Sequence, residues 1–267
     1  METAAEFPVR LVESGPAGGA IFAADVARRF GLEKVVSYDM GGTTAKICLI
    51  EDFAPKTARS FEVARTTRFA KGSGMPISIP VIEMIEIGAG GGSIAWVDAM
   101  GRIQTGPESA ASEPGPACYQ RGGQRPAITD ADLILGKLDP DNFAGGAIKL
   151  STDLAAGAIA AHVGDRLGLS AQSAAFGIGE VVDENMANAA RVHAVENGKN
   201  ISDNMMVAFG GAAPLHAARL CEKLGIDRCL IPPGAGWGRP SVSSRRPSAM
   251  NRLPRVSSAS AHSMRRP

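Results

Sequence analysis

Val35-Val36-Ser37-Tyr38-Asp39-Met40-Gly41-Gly42-Thr43-Thr44-Ala45-Lys46-Ile47-Cys48-Leu49-Ile50 is the stretch on which the reading of the chain turns. An apolar run ends in an aspartate. Two glycines and two threonines follow, then a lysine and a second apolar run. That order predicts strand, tight turn, strand. Gly41 and Gly42 let backbone amides approach an anion with no Cβ in the way. Thr43 and Thr44 add hydroxyl donors, and Lys46 adds a positive charge. Asp39, at the end of the first strand, is placed to hold Mg²⁺ directly or through its water. The plainer reading is a glycine hairpin with an ordinary surface Asp and Lys. The stretch is not a Walker A loop, because Gly-x-x-x-x-Gly-Lys-Ser/Thr is absent.

Two further glycine turns give the hairpin company. Val81–Ile87 and Ile94–Val97 are apolar runs that flank Gly88-Ala89-Gly90-Gly91-Gly92-Ser93. Ser93 stands where a dinucleotide fingerprint has its third glycine, and the following run is strand-like where that fold needs a helix. The expectation is a second backbone nest for phosphate, against a flexible hairpin loop. Glu83 and Glu86 interrupt the first run and alternate faces. The third turn, Gly210-Gly211, follows an apolar strand at Met205–Phe209 and precedes a helix over Leu215–Leu224. Strand, glycine pair and helix N-terminus suit an anion.

The remaining elements are read from periodicity and caps. Helices are expected at 16–30, 152–167 and 171–196, and strands at 34–38, 46–50, 60–63, 81–87, 205–209 and 228–231. Residues 104–127, rich in Pro and Gly, read as a long loop. Asp130 and Asp132 read as cap and first-turn charges of a short helix. His193 reads as a packing residue or a C-terminal helix charge. Arg59, Arg65, Arg68 and Lys71 read as a solvated basic face. Cys118 has no histidine near it in sequence to make it a nucleophile.

Composition narrows the classes. The 267 residues carry a net charge of +1, which argues against nucleic acid or a membrane surface as partner. Apolar runs are broken well short of a membrane span. The start, Met1-Glu2-Thr3-Ala4-Ala5-Glu6, has no apolar signal core, so a cytoplasmic location is expected. Cys48, Cys118, Cys221 and Cys229 show no Cys-x-x-Cys spacing, and no zinc site is expected.

Together the three glycine turns resemble the actin/hexokinase-like ATPase fold, an α/β architecture shared with the heat-shock chaperones. More specifically, the chain resembles the hydantoinase A / 5-oxoprolinase / acetone carboxylase family. The match is carried by Ser14-Gly15-Pro16-Ala17-Gly18-Gly19, by Asp39–Lys46, by Glu86–Ala95, by Pro114-Gly115-Pro116-Ala117-Cys118-Tyr119, by Thr129-Asp130-Ala131 and by Ala208–Ala217. The resemblance implies ATP and Mg²⁺. The implied reaction opens a cyclic amide of hydantoin or 5-oxoproline type, with phosphoryl activation of the amide oxygen, or carboxylates a ketone. It implies that Asp39 governs Mg²⁺ and, with Lys46, supplies the catalytic charge. Gly41, Gly42, Thr43 and Thr44 would hold phosphates, as would Gly88, Gly90, Gly91, Gly92 and Ser93. Gly210 and Gly211 would sit near the adenosine. A hydantoinase B-type partner subunit is also implied.

The chain departs from that pattern twice. The family's earlier Asp-Gly-Gly-Thr turn is absent, so part of an ATPase cleft is expected to be missing from residues 1–236. A non-catalytic remnant is the competing expectation, and a sugar kinase a further one. After Gly236 the sequence turns Ser/Arg/Pro-rich, and residues 237–267 form a separate tail. Codons for Trp237–Ser243, shifted by one base, permit Val-Gly-Ser-Ala-Ile-Gly-Phe, the family's apolar continuation. The tail is therefore expected to be out of frame, against a genuine disordered basic tail. The nucleotide sequence decides, and a one-base correction that restores no apolar run rejects the idea.

Overall fold

β1 (Lys34–Met40) and β2 (Ala45–Glu51) pair antiparallel, Lys34 opposite Glu51 through Met40 opposite Ala45. Asp39 thus lies inside the strand, and only Gly41–Thr44 remain for the turn. The computed structural model describes residues 14–63, 74–78 and 80–237. The expected basic residues Arg65, Arg68 and Lys71 and the tail from Gly238 onward lie outside the described residues.

β1 and β2 are the centre of a mixed six-stranded sheet. Beyond β2 come β3 (Ala54–Pro55), β4 (Thr57–Ala58), β5 (Phe61–Val63), β6 (Met75–Ile77), β7 (Val81–Ile82), β8 (Met84–Ile87), β9 (Ser93–Val97) and β10 (Ile103–Ser109). β11 (Met205–Phe209) and β12 (Cys229–Leu230) come late in the chain. The order is β12-β11-β1-β2, with β3 and β8 sharing the second edge of β2. β11 runs parallel to β1, Asp39 opposite Phe209, so the third glycine turn emerges at the end of the sheet where the first one does. The expected 81–87 strand is divided at Glu83, β7 pairing with β4 and β8 with β2. The expected long loop is in part a strand, because β10 forms a hairpin with β9 that is irregular between Thr105 and Ser109.

Helices cover both faces. α1 (Ser14–Phe30) lays Ala20, Ala23, Ala24 and Ala27 against Val35, Cys48, Ile50, Val207 and Phe209. Small side chains bring this helix close to the sheet. The opposite face, with Val36, Tyr38, Met40, Ile47 and Met206, is covered by four further helices. These are α2 (Ile128–Ile134), α3 (Thr152–Ile159), α4 (Ala171–Glu196) and α5 (Ala213–Leu224). α3 passes through a π turn at Ala160–Gly164, the irregularity inside the expected 152–167 helix. Ser151 and Ser170 cap α3 and α4, each accepting from a backbone amide three residues on. α4 is apolar along Ile178, Val182, Met186 and Ala190, all fully buried, which makes it the spine of the larger core. No described helix is long and apolar enough to cross a membrane.

Candidate functional site

The three glycine turns meet at one end of β1. The first turn is closed by a bond from the Gly41 amide to the Thr44 carbonyl, 3.1 Å. The second loop then grips its carbonyls. The Gly91 amide donates to the Gly41 carbonyl at 3.0 Å and the Gly92 amide to the Gly42 carbonyl at 2.7 Å. In a trans peptide the C=O and the following N–H point in opposite directions. Fixing the carbonyls of Gly41 and Gly42 therefore turns the amides of Gly42 and Thr43 away from the second loop. Both residues are exposed, and among the described residues neither amide has a backbone partner.

The second loop itself is not an open nest. The Gly90 amide donates to Ser93 Oγ at 2.9 Å and the Ser93 amide to the Gly90 carbonyl at 2.9 Å. With Gly91 and Gly92 committed as above, all four amides of Gly90–Ser93 are used inside the protein, and the four residues are buried. The expectation that they hold phosphate is corrected to a supporting role, because a donor already spent cannot serve an anion. Their lack of side chains has a direct reason. A Cβ at Gly90 would stand 2.5 Å from the Thr43 nitrogen and 2.6 Å from the Gly42 carbonyl carbon. Gly88, half-buried, only leads into this contact.

Asp39 lies between two other glycines. A Cβ at Gly19 on α1 would stand 3.1 Å from its Oδ2, and one at Gly210 would stand 2.5 Å from its Oδ1. Gly210 also has φ of +96°, a conformation that side chains resist. The next residues fasten this turn to the first, the Ala212 amide donating to the Met40 carbonyl at 2.9 Å. Gly211 is exposed with open space around its Cα. The Asp39 carboxylate has no hydrogen-bond donor among the described residues. Burial pushes its pKa above the usual carboxylate range, and the charge of Lys46 opposes that only in part.

Register explains the charges beside Asp39. Lys46 lies opposite Asp39 on one side and opposite Glu86 on the other. Carboxylate, ammonium and carboxylate thus form a row across β1, β2 and β8. Lys46 Nζ is 2.7 Å from Thr44 Oγ1 and 3.2 Å from Glu86 Oε1. The lysine braces the turn while remaining one-fifth exposed. Glu83 lies elsewhere, paired with Lys56.

The donor set suits a hydrated magnesium ion better than a dehydrated metal. No group of three or more His, Cys, Asp or Glu could hold a metal among the described residues. Mg²⁺ needs no such cage. It keeps most of its water and takes one or two carboxylates plus phosphate oxygens. An unpaired, partly buried carboxylate between glycines, on the strand that runs into the turn with the two outward amides, fits that demand.

Sequence reasoning missed a second polar cluster on the other face of β1. His216 in the first turn of α5 is fully buried, its Nδ1 2.7 Å from Asp183 Oδ1 and its Nε2 3.2 Å from Asp132 Oδ2. Lys137 donates to Asp132 Oδ1 at 2.9 Å. Asp132 is thus a buried partner of His216 and not the first-turn surface charge expected. Asp130 does cap, accepting from the amides of Ala127, Ala117 and Cys118 at 2.7, 3.1 and 2.7 Å. Cys118 is buried, which with Asp130 beside it pushes the thiol far up and removes it as a nucleophile.

A cleft of about 620 Å³ lies between Trp96, Glu108, Arg125, His162 and Arg166, and its Gly106 and Pro107 pack against Gly88. It contains none of the expected site residues. The functional geometry is therefore a shallow turn site at a sheet end, with one carboxylate and outward amides.

The family model described as Hydantoinase/oxoprolinase matches residues 1–239. The chain belongs to the hydantoinase/oxoprolinase family. An uncharacterized protein of Methanocaldococcus jannaschii is 43% identical over 236 residues, covering 87% of this chain and 34% of its own. The caprolactamase subunit alpha of Pseudomonas jessenii is 39% identical over 227 residues, covering 85% and 31%. The crystal structure of that ATP-dependent caprolactamase matches with a TM-score of 0.72. A nucleotide-free acetone carboxylase, from work on ATP-dependent acetone carboxylation, matches with a TM-score of 0.76 at 30% identity, covering 84% of this chain and 31% of its own. The chain spans about one third of the length of these relatives.

Proposed function

We propose that this chain forms the Mg²⁺–ATP-binding part of an ATP-dependent cyclic-amide hydrolase, built as one portion of an actin/hexokinase-like ATPase fold. The observation that carries this reading is the Asp39 carboxylate. It is half-buried, lacks a donor among the described residues, and sits on the strand that runs into the turn carrying the outward amides of Gly42 and Thr43. Such a carboxylate is costly unless something positive joins it. Amides aimed outward from a glycine turn are where phosphate oxygens bind.

The residues divide the work. Asp39 holds the waters or inner sphere of the cation. Gly42, Thr43 and the Gly211 turn offer donors to phosphate oxygens. Lys46, held by Thr44 and Glu86, keeps a positive charge at the turn. Bound Mg²⁺ would offset charge developing at the transferred phosphoryl group. Transfer of the γ-phosphoryl group of ATP to the amide oxygen, with release of ADP, would make that oxygen a leaving group and the amide carbon an electrophile for water. That overcomes the low reactivity of an unstrained lactam. Caprolactamase, a cyclic-amide enzyme by name and ATP-dependent, is a relative at 39% identity and supports this choice. Ketone carboxylation is the second reading, supported by the higher TM-score of the acetone carboxylase. Both begin with the same nucleotide site. A hydantoinase B-type partner is proposed to complete the substrate site, in line with relatives named as subunits.

Calorimetric titration of the 267-residue chain with Mg²⁺ and ATP tests the reading, with Asp39→Asn alongside. The expected result is saturable binding by the wild-type chain, weakened by about tenfold or more in the variant, the loss of one charge-assisted contact. A folded wild-type chain that takes up no nucleotide overturns it and favours a non-catalytic remnant. Where binding holds, ATP-dependent opening of hydantoin, 5-oxoproline and caprolactam with a B-type partner separates hydrolase from carboxylase.

A further inference from the structure

We propose that His216, clamped between Asp132 and Asp183, is a positioning residue that holds two of the three glycine turns around Asp39. The proposal deepens the nucleotide-site reading above and rests on it for its functional consequence.

Each ring nitrogen of His216 faces a carboxylate oxygen, at 2.7 and 3.2 Å. Ionised carboxylates only accept, so both nitrogens donate and the ring is an imidazolium. Burial works against that charge. The hydrogen bonds and charges of Asp132 and Asp183 outweigh it and raise the histidine to about 9.

The positions of the clamped residues give it reach. His216 follows the Gly210 turn within one turn of α5. That turn seats Gly210 on Asp39 and bonds Ala212 to Met40. Asp132 is three residues past Thr129 on α2. The Thr129 amide and hydroxyl both donate to the Gly91 carbonyl at 2.8 Å, and the Gly91 amide holds Gly41. One imidazolium thus joins α5, whose N-cap residue Ala212 bonds Met40, to α2, whose first turn holds Gly91 and through it Gly41. Asp183, in the middle of the 26-residue α4, ties both to the scaffold. A buried ionic cluster is weak evidence for stability, since apolar residues of equal volume do as well. A two-ended hydrogen bond at a fixed angle supplies direction, which apolar packing does not.

The other titratable groups facing the ring are few. Lys137 reaches Asp132, and Tyr38 of β1 lies close enough for Asp183 and Asp132 to add to the burial that pushes its phenol well above 10. Farther along α5, Cys221 shares a hydrogen bond with Cys229 that draws the Cys229 thiol down. A Cys229→Ser background removes that pair from a pH profile.

Hydrogen exchange read by mass spectrometry on the full chain tests the proposal without requiring nucleotide. In His216→Gln, the bonded amides of the three segments, those of Gly41, of Gly90–Ser93 and of Gly210 and Ala212, should exchange at least about fivefold faster, the low end of coupling between linked sites. The distal half of β2 should not change. Wild-type protein, corrected for hydroxide catalysis, should show the same acceleration with a midpoint near pH 9, and Asp183→Asn should shift that midpoint downward. This second arm needs no variant that folds poorly. Affinity for Mg²⁺–ATP should fall in His216→Gln in step with the exchange. Unchanged exchange at the three segments, in a variant that melts earlier, would make the clamp simple core packing and overturn the proposal. Wild-type chain that binds no nucleotide yet shows the exchange response would sink the nucleotide reading alone.

Discussion

β1 carries a buried or half-buried carboxylate site on each face, and the two are opposites. On the α1 face, Asp39 lies between Gly19 and Gly210 with no donor among the described residues. On the α4 face, Asp132 and Asp183 share His216, with Lys137 closing the charge. One site leaves its carboxylate unmatched on the strand that runs into open amides. The other matches almost everything it buries. Folding alone favours the second arrangement, because an unmatched buried carboxylate costs free energy. A ligand needs the first. The difference separates groups kept for binding from groups kept for shape, although both are charged and both lie against the same strand.

The largest expected effect comes from breaking the matched side. Asp183→Ala leaves a buried imidazolium with one partner, and removal of one member of a buried ion pair costs about 3–5 kcal/mol. Urea denaturation at neutral pH measures it. A loss below about 1 kcal/mol, the scale of an exposed pair, would mean that water reaches the ring and that the contrast between the two faces is false.

A smaller effect tests the glycine turns against one another. Gly90→Ala drives a Cβ onto the backbone of Gly42 and Thr43, and overpacking of that kind costs about 1–3 kcal/mol. Gly211→Ala meets open space and should stay within about 0.5 kcal/mol of wild type. Denaturation midpoints of the pair read the difference directly. Equal costs would show that the second loop is free to move away from the first turn, and that the outward amides of Gly42 and Thr43 are not held.

The turns were legible in the sequence because they are local. Gly41-Gly42-Thr43-Thr44 between apolar runs announces a hairpin, whereas the meeting of Asp39, Lys46 and Gly210-Gly211 at one sheet end was expected from the family resemblance and not from the strand pattern. The role of Gly90–Ser93 was not legible, because it depends on which backbone those amides meet across the sheet. Asp132 and His216 are 84 residues apart, and nothing in either neighbourhood announces the other. One signal was available. Asp183 interrupts the Ile178, Val182, Met186 stripe of α4, and a carboxylate on a buried helical face demands a partner. The histidine at the start of α5 was the candidate with the matching chemistry.

The remaining stability effect is the one whose sign is least intuitive. Asp39→Asn should stabilise the chain. Its folded pKa is raised, mainly by burial, so the folded protein holds this proton more readily than the unfolded chain does. The stability from that proton is full below the ordinary carboxylate value of about 3.9 and is lost as pH rises through the raised folded value. At neutral pH the wild-type chain carries an ionised, unmatched carboxylate, and asparagine does not. Thermal melts should therefore agree near pH 4 and separate by about 2 °C in favour of the variant at pH 7, the shift that roughly 1 kcal/mol gives in a chain of this size. Saturating Mg²⁺–ATP should reverse the order, because only a state that binds ligand is stabilised by it. A variant less stable than wild type at pH 7 without ligand would mean that Asp39 has a structural partner, and the two faces of β1 would then differ in degree and not in kind.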